Sequence, residues 1–391
     1  MTTTEKRILK LSSKLDKRGI DFAIIRQNAD LFYFTGTVQD AHLIITKEGK
    51  AFFLVWRSFK RAKKESDLKH IYPLKGLSSL KDTLKNLDIA PPSTIGLEMD
   101  VLPTNLFLYY TQKIWPGVKT LDISPDIRSI RKNKDPFEIE EIKKACTQAE
   151  NALKKVRTFL KEGLTELELS SLIEAELRKK GHPGLLRMRI WNQEMGMGQV
   201  VSGKNGTYPS WTNTPVGGVG PAAAFGMGAS FKKIKKEEII SIDIGGWSQG
   251  YCCDITRPFI IGNALKKHKE VFKIVLELMH NLEEKMVPGQ IAHDLYDYAI
   301  NFMERAKLND YFMGIKESRV PFIGHGLGIE LDEYPFISKG NKMELEPGMV
   351  IALEPKVILP EIGVIGLEDT FVIEDKGARA LTLFPRQLTI I

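Results

Sequence analysis

The sequence predicts two domains, an α/β domain in front and a larger α+β domain behind it. Three observations carry this. The chain has 391 residues, more than one ordinary domain needs and enough for two separate cores. Residues 1–130 alternate helical and strand periodicity. Beyond them the helices come in long pairs with strands gathered around them, an α+β pattern rather than a doubly wound sheet.

The elements follow in order. Ile8, Leu11 and Leu15 form a helical stripe, and after Gly19 the apolar run 21–25 is a strand. Residues 42–46 and 51–55 are two more strands, joined through Glu48-Gly49 as a hairpin, because glycine supplies the positive φ a tight turn needs. Residues 94–98 are another short strand, and this half carries no catalytic constellation.

The polar, basic stretch 129–134 divides the chain into 1–130 and 131–391. Asp135 as N-cap, Pro136 at the first helical position and Glu138 form a capping box. The long helix behind it is marked by Ile139, Ile142, Ala145, Ala149, Ala152, Val156 and Leu160. Thr165 and Glu168 open a second helix, and two more are expected at about 265–286 and 290–307, either side of Pro288-Gly289. Strands are expected at 239–244, 253–261, 350–354 and 366–373. Arg187 and Arg189, spaced by two, are read as one face of a further strand, clamping an anionic or carboxylate-bearing substrate. The glycine-rich stretch 215–221 does not open a helix after a strand, so it is expected to be a mobile loop rather than a phosphate cradle.

Composition excludes several classes. No apolar run approaches the roughly 20 residues of a membrane span. The first residues enter an amphipathic pattern without an apolar leader core, so a cytoplasmic protein is expected. Three cysteines, two adjacent (Cys252 and Cys253), make no disulfide framework and fit a reducing compartment. The net charge of +7 raises the question of nucleic acid, but the lysines are dispersed and many alternate with glutamate, as along 138–144, which argues against it.

Five residues stand out in strand or turn context. Asp243 interrupts a hydrophobic strand, and Asp254 lies eleven residues on, where a return strand would place it. His325 sits between glycines, Glu354 ends an apolar run before Pro355, and Glu368 leads into another strand. Four carboxylates in one apolar sheet need positive charge to neutralise them. Two divalent ions such as Mn²⁺, Co²⁺, Fe²⁺ or Zn²⁺ suit a carboxylate-rich set with one imidazole. Such a pair activates a bridging water and stabilises a developing oxyanion.

The segments Asp243-Ile-Gly-Gly, Tyr251-x-x-Asp254-x-Thr-Arg257, Gly324-His-Gly-Leu-Gly, Glu354-Pro and Glu368-Asp369 resemble the metal motifs of family M24 metallopeptidases. The resemblance spans nearly the whole chain. It implies a pita-bread C-terminal domain behind a creatinase-like N-terminal one, and an Xaa-Pro dipeptidase or aminopeptidase P type of hydrolase acting on a small peptide or peptide-like C–N bond. It further implies two metal ions held by Asp243, Asp254, His325, Glu354 and Glu368, with Glu354 also the general base, and a homodimer. The alternatives are a non-catalytic pita-bread binding protein and a metal hydrolase of a non-peptide amide.

The chain departs from the family pattern where substrate is handled. There is no histidine between His182 and His268. The segment after the metal histidine reads Ile329-Glu-Leu-Asp332-Glu333, where the family carries a histidine, and Gly366 stands in place of an arginine. Asp332 is the residue expected to take over a general-acid role.

Overall fold

The computed structural model describes residues 1–391, with every side chain except that of Glu317. It divides into two compact units, Met1–Arg131 and Lys132–Ile391.

The first unit is built on one six-stranded sheet in the order Ile71–Pro73, Ala51–Val55, Ala41–Thr46, Phe22–Ile25, Thr94–Leu97, Lys119–Asp122. Phe22–Ile25 is buried throughout because it is central, antiparallel to Ala41–Thr46 on one side and parallel to Thr94–Leu97 on the other. A strand covered on both faces reads as an unbroken apolar run. Helix Thr3–Lys17 is capped by a Thr2–Glu5 capping box and buries Ile8, Leu11 and Leu15. The two edge strands are only partly buried, so they leave little period-two pattern in the sequence.

The second unit holds a four-stranded and a five-stranded sheet. The four-stranded one runs Thr389–Ile390, Ile255–Ile260, Ile240–Ile244, Gly198–Ser202. The five-stranded one runs Glu333–Ser338, Phe322–Gly326, Val350–Leu353, Asp369–Glu374, Gly377–Ala380. A backbone bridge between Thr256 and Glu368 stitches the two sheets together. Between the strands Val350–Leu353 and Asp369–Glu374 the chain makes a separate hairpin, Lys356–Leu359 with Gly363–Gly366. Helices Pro136–Phe159 and Glu166–Lys179 start at the two capping boxes, both of them formed. Helices Lys266–Lys285 and Ala292–Arg305 bury Val275, Leu278, Leu282, Leu295 and Ala299 in one core with Ile323, Ile351 and Phe371. Each of the larger ones contributes roughly 1.5–3 kcal/mol on leaving water. No helix among the described residues is long and apolar enough to cross a membrane.

Two local expectations differ from the structure. The stretch around Arg187 and Arg189 is not a strand: it runs as irregular chain into a turn, where Asn192 takes φ 60°. The glycine-rich stretch 215–221 is pinned rather than loose. Gly218 donates to the Tyr208 carbonyl at 2.8 Å and Gly228 donates to Gly217 at 3.0 Å. A Cβ on Gly217 would lie 2.0 Å from the Tyr208 oxygen, so glycine is there for close backbone approach.

Candidate metal centre

The two sheets bring the five acid and imidazole residues to one place. Asp243 lies on Ile240–Ile244, opposite Thr256 in the antiparallel register, and Asp254 immediately precedes Ile255–Ile260. His325 lies on Phe322–Gly326, paired with Ala352 of the neighbouring strand. Glu354 follows that strand directly, its N–H donating to the Ile323 carbonyl at 2.9 Å. Glu368 arrives through its bridge to Thr256.

Buried polar contacts hold these positions. The Thr370 hydroxyl accepts from the Asp254 N–H at 3.0 Å and donates to the Asp254 carbonyl at 2.8 Å. The Thr256 hydroxyl donates to Glu368 Oε2 at 2.8 Å. Arg257 is fully buried. Its Nη1 donates to the Glu368 carbonyl at 2.7 Å, and its Nη2 donates at 2.6 Å to both Asp369 Oδ1 and the Phe384 carbonyl. The guanidinium fork therefore fixes the backbone that presents Glu368.

A residue that the motifs did not single out stands in the middle of the cluster. Lys356, 1% exposed, directs its Nζ to Asp243 Oδ2 at 2.9 Å, Glu354 Oε2 at 2.8 Å and Glu368 Oε2 at 2.8 Å. An ammonium has three N–H groups, and each meets a different carboxylate. The signal for it was a lysine inside an apolar stretch, two residues after Glu354.

The oxygens not taken by Lys356 face His325. Glu354 Oε1 is 3.7 Å and Glu368 Oε1 3.9 Å from His325 Nε2. Glu368 Oε1 is buried with no hydrogen-bond partner among the described residues. Donor atoms of Asp254, His325 and Glu368 lie within 4.8 Å of one another. His325 Nδ1 is 3.1 Å from the Gly326 carbonyl, which can only accept, so that contact puts the ring proton on Nδ1 and leaves the Nε2 lone pair facing the carboxylates.

The electrostatics agree with a cation on this side. Burial holds the Asp254 carboxyl well above the usual carboxylate range, with Glu368 and Asp243 adding to it. Burial also raises Glu368, against the pull of Lys356. At Lys356 burial disfavours the charge, but Asp243, Glu354 and Glu368 outweigh it and hold the amine well above its ordinary value. The orphaned Glu368 oxygen and the donor spacing fit one divalent ion among Asp254, His325 and Glu368, with Glu354 Oε1 beside them. On the Asp243 side the Lys356 ammonium stands among three carboxylates.

A cleft of about 730 Å³, including its open mouth, lies over the cluster. Its walls are Leu186, Met188, Ile190, Phe322, Leu331 and Phe336, with Gln193, Thr212, Asn213 and Asp332 among the polar groups. The side chains from the arginine segment that line it are Met188 and Ile190, not Arg187 and Arg189. Arg189 is buried and pairs with Glu330 at 3.4 Å. Asp332 does face the cleft. Its two oxygens accept from the Arg189 N–H at 2.7 Å and the Ile190 N–H at 3.0 Å, so it braces this wall as an acceptor. A protonated acid would surrender one of those bonds.

Known proteins share this architecture. Residues 140–375 match Metallopeptidase family M24, and residues 7–132 match the Creatinase/Prolidase N-terminal domain. The Xaa-Pro dipeptidase of Pyrococcus horikoshii is 27% identical over 316 residues, 80% of each chain. The prolidase structure from the same organism superposes with TM-score 0.83 at 26% identity, covering 98% of this chain and 99% of that one. The X-Pro aminopeptidase of Thermotoga maritima gives 0.81 at 27% identity, covering 99% of each. With the acid and imidazole residues converging at the seam of the two sheets, the chain belongs to metallopeptidase family M24 and carries the creatinase/prolidase N-terminal domain ahead of its catalytic one.

Proposed function

We propose that the chain hydrolyses a peptide bond near the free amino end of a small peptide with an apolar side chain, Xaa-Pro peptides among its candidates. The observation that carries this is the grouping of Asp254, His325 and Glu368 with Glu354 beneath an apolar cleft. A divalent ion held by these residues would supply Lewis acidity and a water of lowered pKa. Glu354 divides its work: Oε2 accepts from Lys356, while Oε1, facing His325, takes the proton of the attacking water and returns it to the leaving nitrogen. Met188, Ile190, Phe322 and Phe336 exclude water around the substrate side chain.

The cleft favours an amine over a carboxylate. Asp243 and Asp332 line it, no arginine among the described residues does, and its lysine is committed to three carboxylates. The relatives named Xaa-Pro dipeptidase, prolidase and X-Pro aminopeptidase support the same reaction class. All three cysteines are buried free thiols, which supports a reducing, cytoplasmic setting.

The test is a panel of dipeptides and tripeptides, with and without proline, assayed with Mn²⁺ and Co²⁺. Cleavage that survives C-terminal amidation and is lost on N-acetylation is expected. A protein that binds the ion and cleaves no member of the panel sinks the proposal.

A further inference from the structure

We infer that the Lys356 ammonium is a built-in replacement for one ion of the expected pair, so that this centre takes a single divalent metal. The inference rests on the metallopeptidase assignment and concerns the composition of the same site. Two-metal centres place their ions about 3.5–4 Å apart, bridged by carboxylates that give one oxygen to each. Glu354 and Glu368 are divided in this way here: each turns Oε2 to the ammonium and Oε1 towards His325. Lys356 Nζ therefore stands where a second ion would be bridged, and Asp243 Oδ2 completes its surround at 2.9 Å.

The position cannot be shared. A metal bound to the same three oxygens would sit at roughly 2.0–2.2 Å from each, inside the space that Nζ fills at 2.8–2.9 Å. Two positive centres would then be forced together without an intervening anion. Charge is compatible with this count: four carboxylates against one divalent ion and the ammonium leave the centre with a single net negative charge. Since all three N–H groups of Lys356 are engaged, none remains for substrate. Lys356 is a positioning residue, acting through Glu354 and Glu368.

The hairpin is shaped for this occupant. Lys356 is the register partner of Gly366, and a Cβ on Gly366 would lie 2.5 Å from Lys356 Cγ and 3.1 Å from its Cβ. The lysine stem lies across the glycine, and any larger residue at 366 would displace it.

The experiment is Mn²⁺ titration of the full-length protein after chelator treatment, reading bound equivalents by elemental analysis and spin coupling by electron paramagnetic resonance. The wild type is expected to bind one equivalent with the signal of an isolated Mn²⁺ ion. Lys356→Gly is expected to bind two with an exchange-coupled signal, and Lys356→Ala serves if the glycine variant does not fold. Two coupled ions in the wild type would overturn the inference while leaving the metallopeptidase assignment intact. One equivalent in both wild type and folded variant would also overturn it, since the lysine would then not be what limits occupancy. No bound Mn²⁺, Co²⁺ or Zn²⁺ in either protein would overturn both the inference and the proposed function.

Discussion

Lys356 and Gly366 face each other across the hairpin, and the missing side chain at Gly366 is what gives the lysine stem its path to three carboxylates. The clash a Cβ would create falls on Lys356 Cβ and Cγ, the part of the stem closest to the backbone and least able to swing aside. Gly366→Ala is therefore expected to destabilise the protein by about 1–3 kcal/mol, as overpacking does, and to loosen ion binding along with it. Urea unfolding and Mn²⁺ affinity check this. Wild-type values for both would mean that the lysine does not depend on the glycine.

Removal of a ligand should empty the site. Asp254→Ala and Glu354→Ala are each expected to release the ion and to reduce peptide hydrolysis by several orders of magnitude. Asp254 belongs to the donor cluster and Glu354 lies beside His325. Metal content after gel filtration is the measurement. Unchanged stoichiometry in both variants would show that the ligands lie elsewhere.

Arg257 supports the centre from behind. Breaking a buried ion pair from one side costs about 3–5 kcal/mol, and Arg257→Leu leaves Asp369 and the Glu368 carbonyl without their donor. Arg386 still reaches Asp369 at 2.7 Å, so a loss near the lower end is expected. The midpoint of urea unfolding reads it, and ion affinity should fall in parallel because the Glu368 backbone is freed. A stable variant with weakened metal binding would separate the two effects.

His42 sets a pH dependence in the N-terminal unit. Its ring lies between the Arg26 guanidinium, 3.3 Å from Nδ1, and the Tyr110 hydroxyl, 2.9 Å from Nε2. Burial first, and the Arg26 charge second, lower its pKa from 6.5 to about 3. The unfolded chain takes up a proton below about 6.5 that the folded chain refuses until about 3. This contribution is complete above pH 6.5 and is lost as the pH falls through that window, by roughly a few kcal/mol in all. His42→Gln cannot titrate, so the stability gap between it and the wild type should narrow steadily from pH 7 to pH 4. Parallel pH profiles for the two proteins would remove His42 from the account.

Much of this was legible in the residues because local chemistry and tertiary structure agree there. Asp135 with Glu138 and Thr165 with Glu168 announce helices that form with those caps. The apolar run that Asp243 interrupts and the one that Glu354 follows are buried strands. The failures have physical causes. The spacing of Arg187 and Arg189 suggested a charged strand face, but Pro183-Gly184 and the positive φ of Asn192 keep the segment irregular, and Asp332 holds its backbone. Partly buried edge strands such as Lys119–Asp122 leave little periodic trace. Lys356 was missed because a motif search looks for ligands, and the lysine works as a counter-charge. A period of two along an extended chain puts Glu354 and Lys356 on one side, and that was the available clue.

The division of Glu354 and Glu368 between ammonium and imidazole also bears on how the centre is loaded. A cage of carboxylates with no cation at all repels itself and must be drawn together by the incoming metal, which then bears the cost of ordering it. Here three of the four acids are already gathered by a covalently tethered charge. Metal capture is then a docking event into a preorganised socket, quick to complete and accompanied by little change in backbone protection, so the apoprotein waits in the shape of the holoprotein.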